Sequence, residues 1–422
     1  MTAATDADAE RPLPDTAHEG ELLRAAVAEV QRVIVGQHEM VERLVVTVLA
    51  RGHCLLEGVP GVAKTLAVRS LATVCGGSFA RLQFTPDLVP SDIVGTRVYR
   101  QATGGFAVEL GPVFVHFVLA DEVNRAPAKV QSAMLELMAE HQVSIAGVTH
   151  PVPRPFTVVA TQNPVESEGV FALPEAQRDR FLLKVEVGLP TAAEEAEILA
   201  RMSVDPPTAR PVLDPDRVLA LQAAADRVFV HPLVADYAVR LVVATRATGP
   251  AETREVPATV AIAVGASPRA TLGLIAAARA LALLRGRDYV LPEEIAALAA
   301  DVMAHRLLLT FDAQADGVDP RAVVAEVVAR VPPPRPVWPA APGSPPAGRP
   351  GPRDGAPRDG APRDGGGTGG GPTDSGPGDG PPAGATVLSD LGWEDDARAD
   401  GRAERGGRAD GGGRAGRRGP GR

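Results

Sequence analysis

The stretch GVPGVAKT, Gly58 to Thr65, follows the apolar run CLLE and precedes LAVRSLATV, which has the texture of a helix. Glycines in such a turn let backbone N–H groups close around phosphate oxygens, a lysine reaches the terminal phosphates, and a threonine hydroxyl can ligate Mg²⁺. Lys64 and Thr65 are therefore the first candidates for chemistry. Ala63 stands where the general G-x-x-x-x-G-K-[ST] pattern has glycine. A second element, FVLADEVNRAP, sets Asp121 and Glu122 at the end of an apolar strand. There Asp121 can hold Mg²⁺ through water, and Glu122 can polarise an attacking water as general base. A third, FTVVATQNP, puts Asn163 at a strand tip, where its amide could face a γ-phosphate or that water. Alone it is weak, since Asn-Pro is an ordinary turn signal.

These residues need a scaffold, and the pattern around them supplies one. Five short apolar runs, at CLLE, FARLQF, FVLAD, FTVVATQ and RFLLKVEV, alternate with helical or loop segments, as in a parallel sheet wrapped by helices. Ahead of them, ELLRAAVAEVQRVIVGQ places Leu22, Ala25, Val27 and Val30 near one helical face, and VERLVVTVLARG gives a second helix stopped by Gly52. Two hairpins are expected within Arg97 to Phe114, turned at Thr103-Gly104-Gly105, and within His141 to Val152, turned at Gly147. From about Thr191 the strands stop and Ala/Leu-rich helical periodicity takes over, with Pro268 and Pro292 at first-turn positions. Nearly half of the residues from Pro332 onward are Gly or Pro, too many for a packed core. The expected organisation is a disordered leader (1–18), an α/β core (19–190), a helical second domain (191–331) and a disordered Gly/Pro/Arg-rich tail (332–422).

With 422 residues and 45% hydrophobic content, the chain can bury at least one large core. Cys54 and Cys75 lack zinc-ligand spacing and cannot build a disulfide framework, which points to a reducing, cytoplasmic setting. The histidines His53, His116, His141 and His150 have no metal spacing either. The N-terminus is acidic rather than signal-like, and no apolar run approaches a membrane span. A net charge of −9 argues against a broad basic face for nucleic acid.

Taken together, the chain strongly resembles the MoxR family of AAA+ ATPases. The matching stretches are IVGQ (Ile34 to Gln37), GVPGVAKT, QFTPDLVPSDIVG (Gln83 to Gly95), LADEVNRAPAKVQSAMLELMAE (Leu119 to Glu140), ATQNP (Ala160 to Pro164), LPEAQRDRF (Leu173 to Phe181) and GASPRA (Gly265 to Ala270). The resemblance covers residues 20 to 330, and the family's phosphate loop also carries Ala at the position of Ala63. It implies an AAA+ P-loop α/β core with a parallel sheet flanked by helices, an all-helical lid, ATP and Mg²⁺ bound between them, and ring assembly, usually as hexamers. It assigns the nucleotide to Gly58, Pro60, Gly61, Val62, Ala63, Lys64, Thr65 and Leu66, with Val35 and Gly36 near the adenine. Thr65 and Asp121 would hold the metal, Glu122 would act as base, and Asn163 would be sensor 1. Arg269 would be sensor 2, a lid cation meeting the γ-phosphate, and Arg180 an arginine finger supplied to a neighbouring subunit. Arg178 occupies a position where relatives often have an apolar residue, so its relation to Arg180 is open. The two hairpins resemble pore-facing inserts of similar ATPases.

The resemblance further implies hydrolysis of ATP to remodel, mature or assemble partner proteins in a chaperone-like way, with a protein bearing a von Willebrand factor A domain and its client complex. This chain has no such domain of its own after Arg330. The rival readings are a nucleic-acid motor or transcription regulator, supported by the Arg/Gly-rich tail, and a nucleotide-dependent scaffold. Within the tail, Thr386 to Asp396 is the main apolar island, with spacing suited to a short helix that folds on docking.

Overall fold

Short apolar runs bounded by turn residues bury both faces when they pair in parallel, so they belong in the middle of a layered fold. The computed structural model describes residues 16–102, 104–164, 171, 173–246 and 257–334. Most of the leader, Thr103 and the tail island at Thr386 to Asp396 lie outside the described residues. After α1 (Thr16–Val33) and α2 (His38–Leu49), the chain runs β1 (Cys54–Glu57), α3 (Lys64–Val74), β2 (Phe79–Gln83), α4 (Pro90–Val94), β3 (Gly95–Arg100), β4 (Gly105–Leu110) and β5 (Phe117–Asp121). Next come α5 (Ala128–Glu140), β6 (Gln142–Ile145), β7 (Val148–Pro151), β8 (Thr157–Gln162), α6 (Glu175–Arg178) and β9 (Leu183–Glu186). It continues with α7 (Ala192–Met202), α8 (Pro215–Arg227), α9 (Pro232–Ala244), β10 (Ile262–Val264), α10 (Pro268–Leu284), α11 (Pro292–Met303), β11 (Leu308–Leu309), α12 (Phe311–Ala315) and α13 (Pro320–Arg330).

The five expected strands form one parallel sheet in the order β2-β5-β8-β1-β9. Period-two alternation sorts their side chains between two cores. Cys54, Leu56 and Leu119 face a core shared with α1, α2, α3 and the lid helices, while Leu55, Val118 and Ala120 face α5. The register decides which strand ends meet. Gln83 lies opposite Asp121, Ala120 opposite Ala160, and Glu57 opposite Gln162. The phosphate loop, the acid pair and Asn163 therefore leave neighbouring strands at the same carboxyl edge, where open α/β sheets bind ligands.

Both expected hairpins form, β3 with β4 and β6 with β7. In α1 the buried stripe is Leu23, Ala26, Val30 and Val33. The face expected from Leu22, Ala25 and Val27 is thus rotated by one position. Spacings of three, four and three put the observed set on one line along the helix, with Leu22 and Val27 at its flanks and Ala25 exposed.

The lid departs from an all-helical domain: among its described residues it is helical apart from a two-stranded antiparallel ribbon of β10 and β11 and an isolated parallel bridge between Phe229 and Tyr289. Its helices begin as the prolines suggest. Ser267 caps α10 ahead of Pro268, and Asp214 and Asp319 cap α8 and α13 ahead of their own first-turn prolines. A buried ion cluster ties α2 to this domain: Arg43 Nε lies 2.7 Å from Asp301 Oδ2, and Arg321 Nη1 lies 2.9 Å from Asp301 Oδ1.

Candidate nucleotide-binding site

The loop after β1 owes its shape to a few backbone positions. Gly58 has no room for a side chain, because a Cβ there would press into the Val187 carbonyl. Gly61 has φ +87° and open space where a Cβ would stand. Ala63 caps α3 with φ 62° and ψ 17°, the left-handed region that glycine enters freely and that costs an L-residue roughly 1–2 kcal/mol. This is the backbone reason for glycine in the general motif, and here alanine accepts the strain.

Lys64 opens α3, and its Nζ donates to the carbonyls of Gly58 and, at 3.2 Å, Val59. Partial burial holds its ammonium below the usual lysine range, against the opposing pull of Asp121, Glu122 and Glu57. The N-terminus of α3 directs its first amides into the same cleft, a natural seat for phosphate.

Across the cleft, the buried hydroxyl of Thr161 bridges the acid pair. It donates to Asp121 Oδ1 at 2.5 Å and accepts the Glu122 N–H at 2.9 Å. Glu122 sits at φ 58°, a strained value for a non-glycine residue, and the Thr161 bond helps to hold it there. Arg81 donates to Asp121 Oδ2 from Nε at 2.9 Å and from Nη2 at 2.6 Å. Gln83 Nε2 donates to Glu122 Oε2 at 2.8 Å, and Arg125 Nε lies 3.1 Å from that oxygen. Arg81, Gln83 and Thr161 escaped the sequence reading. The available signal was period-two spacing: Arg81 and Gln83 share one face of β2, and Thr161 and Asn163 stand two residues apart at the end of β8.

The cleft holds about 350 Å³. Its walls bring together Pro60, Gly61, Ala63, Lys64, Thr65, Leu66, Asp121, Glu122 and Asn163 with Arg81 and Thr161. Gly58 and Val62 support the loop from behind, Val62 being buried. Val35 is buried as well, and Gly36, at φ +62°, packs against the Glu194 carboxylate. Neither lines the cleft. Arg180 and Arg269 also stand apart from it. Arg180 is exposed and donates from Nη1 to the Leu135 carbonyl of α5 at 3.1 Å. Arg269 Nη1 lies 3.3 Å from Asp179 Oδ2, beside Arg306, whose Nε lies 2.9 Å from Asp179 Oδ1.

The donor set fits a Mg²⁺-bound nucleoside triphosphate. Thr65 and Asp121 offer the hard oxygens that Mg²⁺ prefers, and both carboxylate oxygens of Asp121 are already engaged, which favours contact through water. Loop amides and Lys64 match the phosphates. Among the described residues no cluster of three or more His, Cys, Asp and Glu makes a free-standing metal site.

Comparison with known proteins agrees with this chemistry. Residues 53–183 match the family described as ATPase family associated with various cellular activities (AAA), and residues 254–327 match the AAA lid domain. Chaperone MoxR1 of Mycobacterium tuberculosis is 57% identical over 309 residues, spanning 73% of this chain and 81% of its own. This chain belongs to the MoxR family of AAA+ ATPases. Protein MoxR of Methylorubrum extorquens is 34% identical over 298 residues, or 67% of this chain and 86% of its own. A crystallised Cytophaga hutchinsonii protein designated an ATPase superposes with a TM-score of 0.70 at 42% identity, covering 75% of this chain and 96% of that one. Among the described residues no helix is long and apolar enough to cross a membrane.

Proposed function

We propose that this MoxR protein is a chaperone-like motor that hydrolyses ATP within an oligomeric ring and uses the cycle to remodel or assemble partner proteins. The observation that carries the ring is the position of Arg180. It is an exposed cation in a family segment, held against α5 and outside the walls of its own chain's cleft. A cation so placed serves a neighbouring copy. Arginines donated in trans are worth roughly 10³ to 10⁵ in the rate of phosphoryl transfer, so an isolated subunit would turn over slowly.

Within the cleft, Lys64 and the loop amides bind the phosphates. Thr65 and Asp121 would hold Mg²⁺, which when bound neutralises charge on the phosphate oxygens. Glu122 takes the proton of the attacking water, and Asn163 orients that water. To do so, Glu122 has to leave Gln83 and Arg125. Arg269, a lid cation paired with Asp179 next to Arg180, would meet the γ-phosphate as sensor 2 once released from that carboxylate. The ring would be a hexamer in the cytoplasm, its adapter a separate protein with a von Willebrand factor A domain, and the β3–β4 and β6–β7 hairpins its contact with the client. The aromatic pair Tyr99 and Phe106 and the apolar Val148 are exposed on those hairpins, which suits such contact.

Substituting Glu122→Gln removes a base worth about 10²- to 10⁴-fold while leaving the phosphate contacts in place. The tagged variant, captured from its own cells with ATP, is expected to retain its adapter and client through nuclease treatment. Recovery of nucleic acid alone would overturn the remodelling assignment.

A further inference from the structure

Glu122 is held on its N-terminal side by β5 and the Thr161 bond. On its other side the holding group is a glutamine. Gln131, in the first turn of α5, is 1% exposed. Its Nε2 reaches back over the tight turn Val123–Arg125 and donates to the carbonyls of Val123 at 3.3 Å and Ala126 at 3.1 Å. The same Nε2 lies 3.2 Å from the Phe171 carbonyl oxygen. Carbonyls only accept, so the side chain has to present its NH₂ on this side, with two hydrogens shared among three oxygens. Val123 and Ala126 are buried as well, which leaves their carbonyls little water to replace a lost amide.

The Phe171 N–H donates in turn to the Asn124 carbonyl at 2.7 Å. Phe171 is thereby joined to the turn after Glu122 twice, once by main chain and once through Gln131. In sequence Phe171 lies between Asn163 and Arg180, and the buried Leu173 and then α6 follow it on the way to Arg180. One turn further along α5, the Leu135 carbonyl accepts from Arg180 Nη1 at 3.1 Å. The first turn of α5 therefore secures the backbone that carries the base, and the next turn receives the arginine.

We infer that Gln131 is a positioning residue, which sets the Glu122 turn and the approach to Arg180 on the same helix, so that the base of one cleft and the cation given to the next are aligned together. The Arg180 half of this inference rests on the proposed ring, and the Glu122 half does not. Gln131 does not border the nucleotide cleft, so its loss should slow the chemical step without weakening nucleotide binding. A glutamine that only satisfies buried carbonyls would instead change stability and leave turnover intact in protein that is still folded.

Gln131→Met keeps nearly the same length and removes both donor hydrogens. In the full chain, well below its Tm, kcat for ATP is expected to fall about tenfold or more, while affinity for a fluorescent ATP analogue changes less than about threefold. Wild-type kcat in the folded variant, or a loss of affinity as large as the loss of kcat, would overturn the inference. If Gln131→Met does not fold, Phe171→Pro removes the main-chain half of the same junction at an exposed residue and is read in the same way. Rings mixed from Arg180→Ala chains, which supply intact clefts, and Lys64→Ala chains, which supply the arginine, separate the two halves. Adding Gln131→Met to the Arg180→Ala chain should cut the recovered turnover about tenfold, and adding it to the Lys64→Ala chain about threefold or more. A loss confined to one of the two chains would overturn the joint alignment. If the unmodified pair recovers nothing on mixing, the ring reading fails and the Arg180 half falls with it, while the kcat and affinity of Gln131→Met still decide the Glu122 half.

Discussion

The Thr161 hydroxyl is the cheapest point at which to disturb both acids of the cleft at once. Thr161→Val keeps the shape of a side chain that is 1% exposed and removes only its hydrogen-bonding group. Two bonds go: the 2.5 Å donation to the Asp121 carboxylate and the 2.9 Å acceptance from the Glu122 N–H. Losing a bond to a charged group costs about 1.5–3 kcal/mol, and an unpaired buried N–H about 1–3 kcal/mol. Asp121 keeps Arg81 and the cleft admits water, so the lower half of the sum applies, about 2–4 kcal/mol. For a domain of this size that lowers Tm by several degrees, roughly 2–4 °C per kcal/mol. The same change frees Glu122 from its strained backbone setting and lets Asp121 rotate, so kcat should fall by about 10- to 100-fold. Thr161→Ser, which retains the hydroxyl, should recover most of both losses. Thermal melts and steady-state ATP turnover on the three proteins decide the matter. A Thr161→Val protein with unchanged Tm and full turnover would refute the idea that this hydroxyl organises the acid pair.

Gln83→Ala releases one of the two groups that restrain the Glu122 carboxylate, and basal ATP turnover should rise about threefold or more without loss of Tm. A fall in turnover would mean that Gln83 aims Glu122 instead of restraining it. Asp301→Ala removes the buried carboxylate that Arg43 and Arg321 share, and because Arg43 keeps Glu39 and Glu42 and Arg321 keeps Glu186, the expected loss lies at or below the lower end of about 3–5 kcal/mol, seen in denaturant titration. His53 is buried between α5 and β8, its Nε2 donating to the Met138 carbonyl and its Nδ1 accepting from the Val158 N–H. Burial pushes its pKa down to about 4 from a usual 6.5. The unfolded chain then takes up the proton first, so stability present above 6.5 is lost as pH falls towards 4, by at most roughly 3 kcal/mol. A Tm that stays flat between those values would contradict the neutral, buried ring.

The strands were readable because parallel strands buried on both faces leave continuous apolar runs, as in FVLAD and TVVAT. Lys64, Thr65, Asp121, Glu122 and Asn163 were readable because their chemistry is local to a loop or a strand tip. The partners that hold the acids were not. Arg81, Gln83 and Thr161 reach Asp121 and Glu122 through the register of β2, β5 and β8, and register is set by tertiary packing. The same reason hid the ion pair of Arg269 with Asp179, which depends on how α10 folds back onto the Asp179 turn. Val35 and Gly36 sit in a turn with positive φ at Gly36 and Gln37, directed at Glu194, which periodicity does not report. The β10–β11 ribbon is too short to leave an alternating pattern.

The central claim is that one chain's Arg180 completes another chain's cleft, and mixing two defective proteins tests it most directly. Lys64→Ala cannot bind phosphate productively, and Arg180→Ala cannot donate the cation, so each alone should be nearly inactive. In randomly mixed rings, Arg180→Ala clefts flanked by Lys64→Ala donors make up about a quarter of all sites, so mixing should restore up to about a quarter of wild-type turnover. No recovery on mixing, or an Arg180→Ala protein that hydrolyses ATP at the wild-type rate, would contradict it.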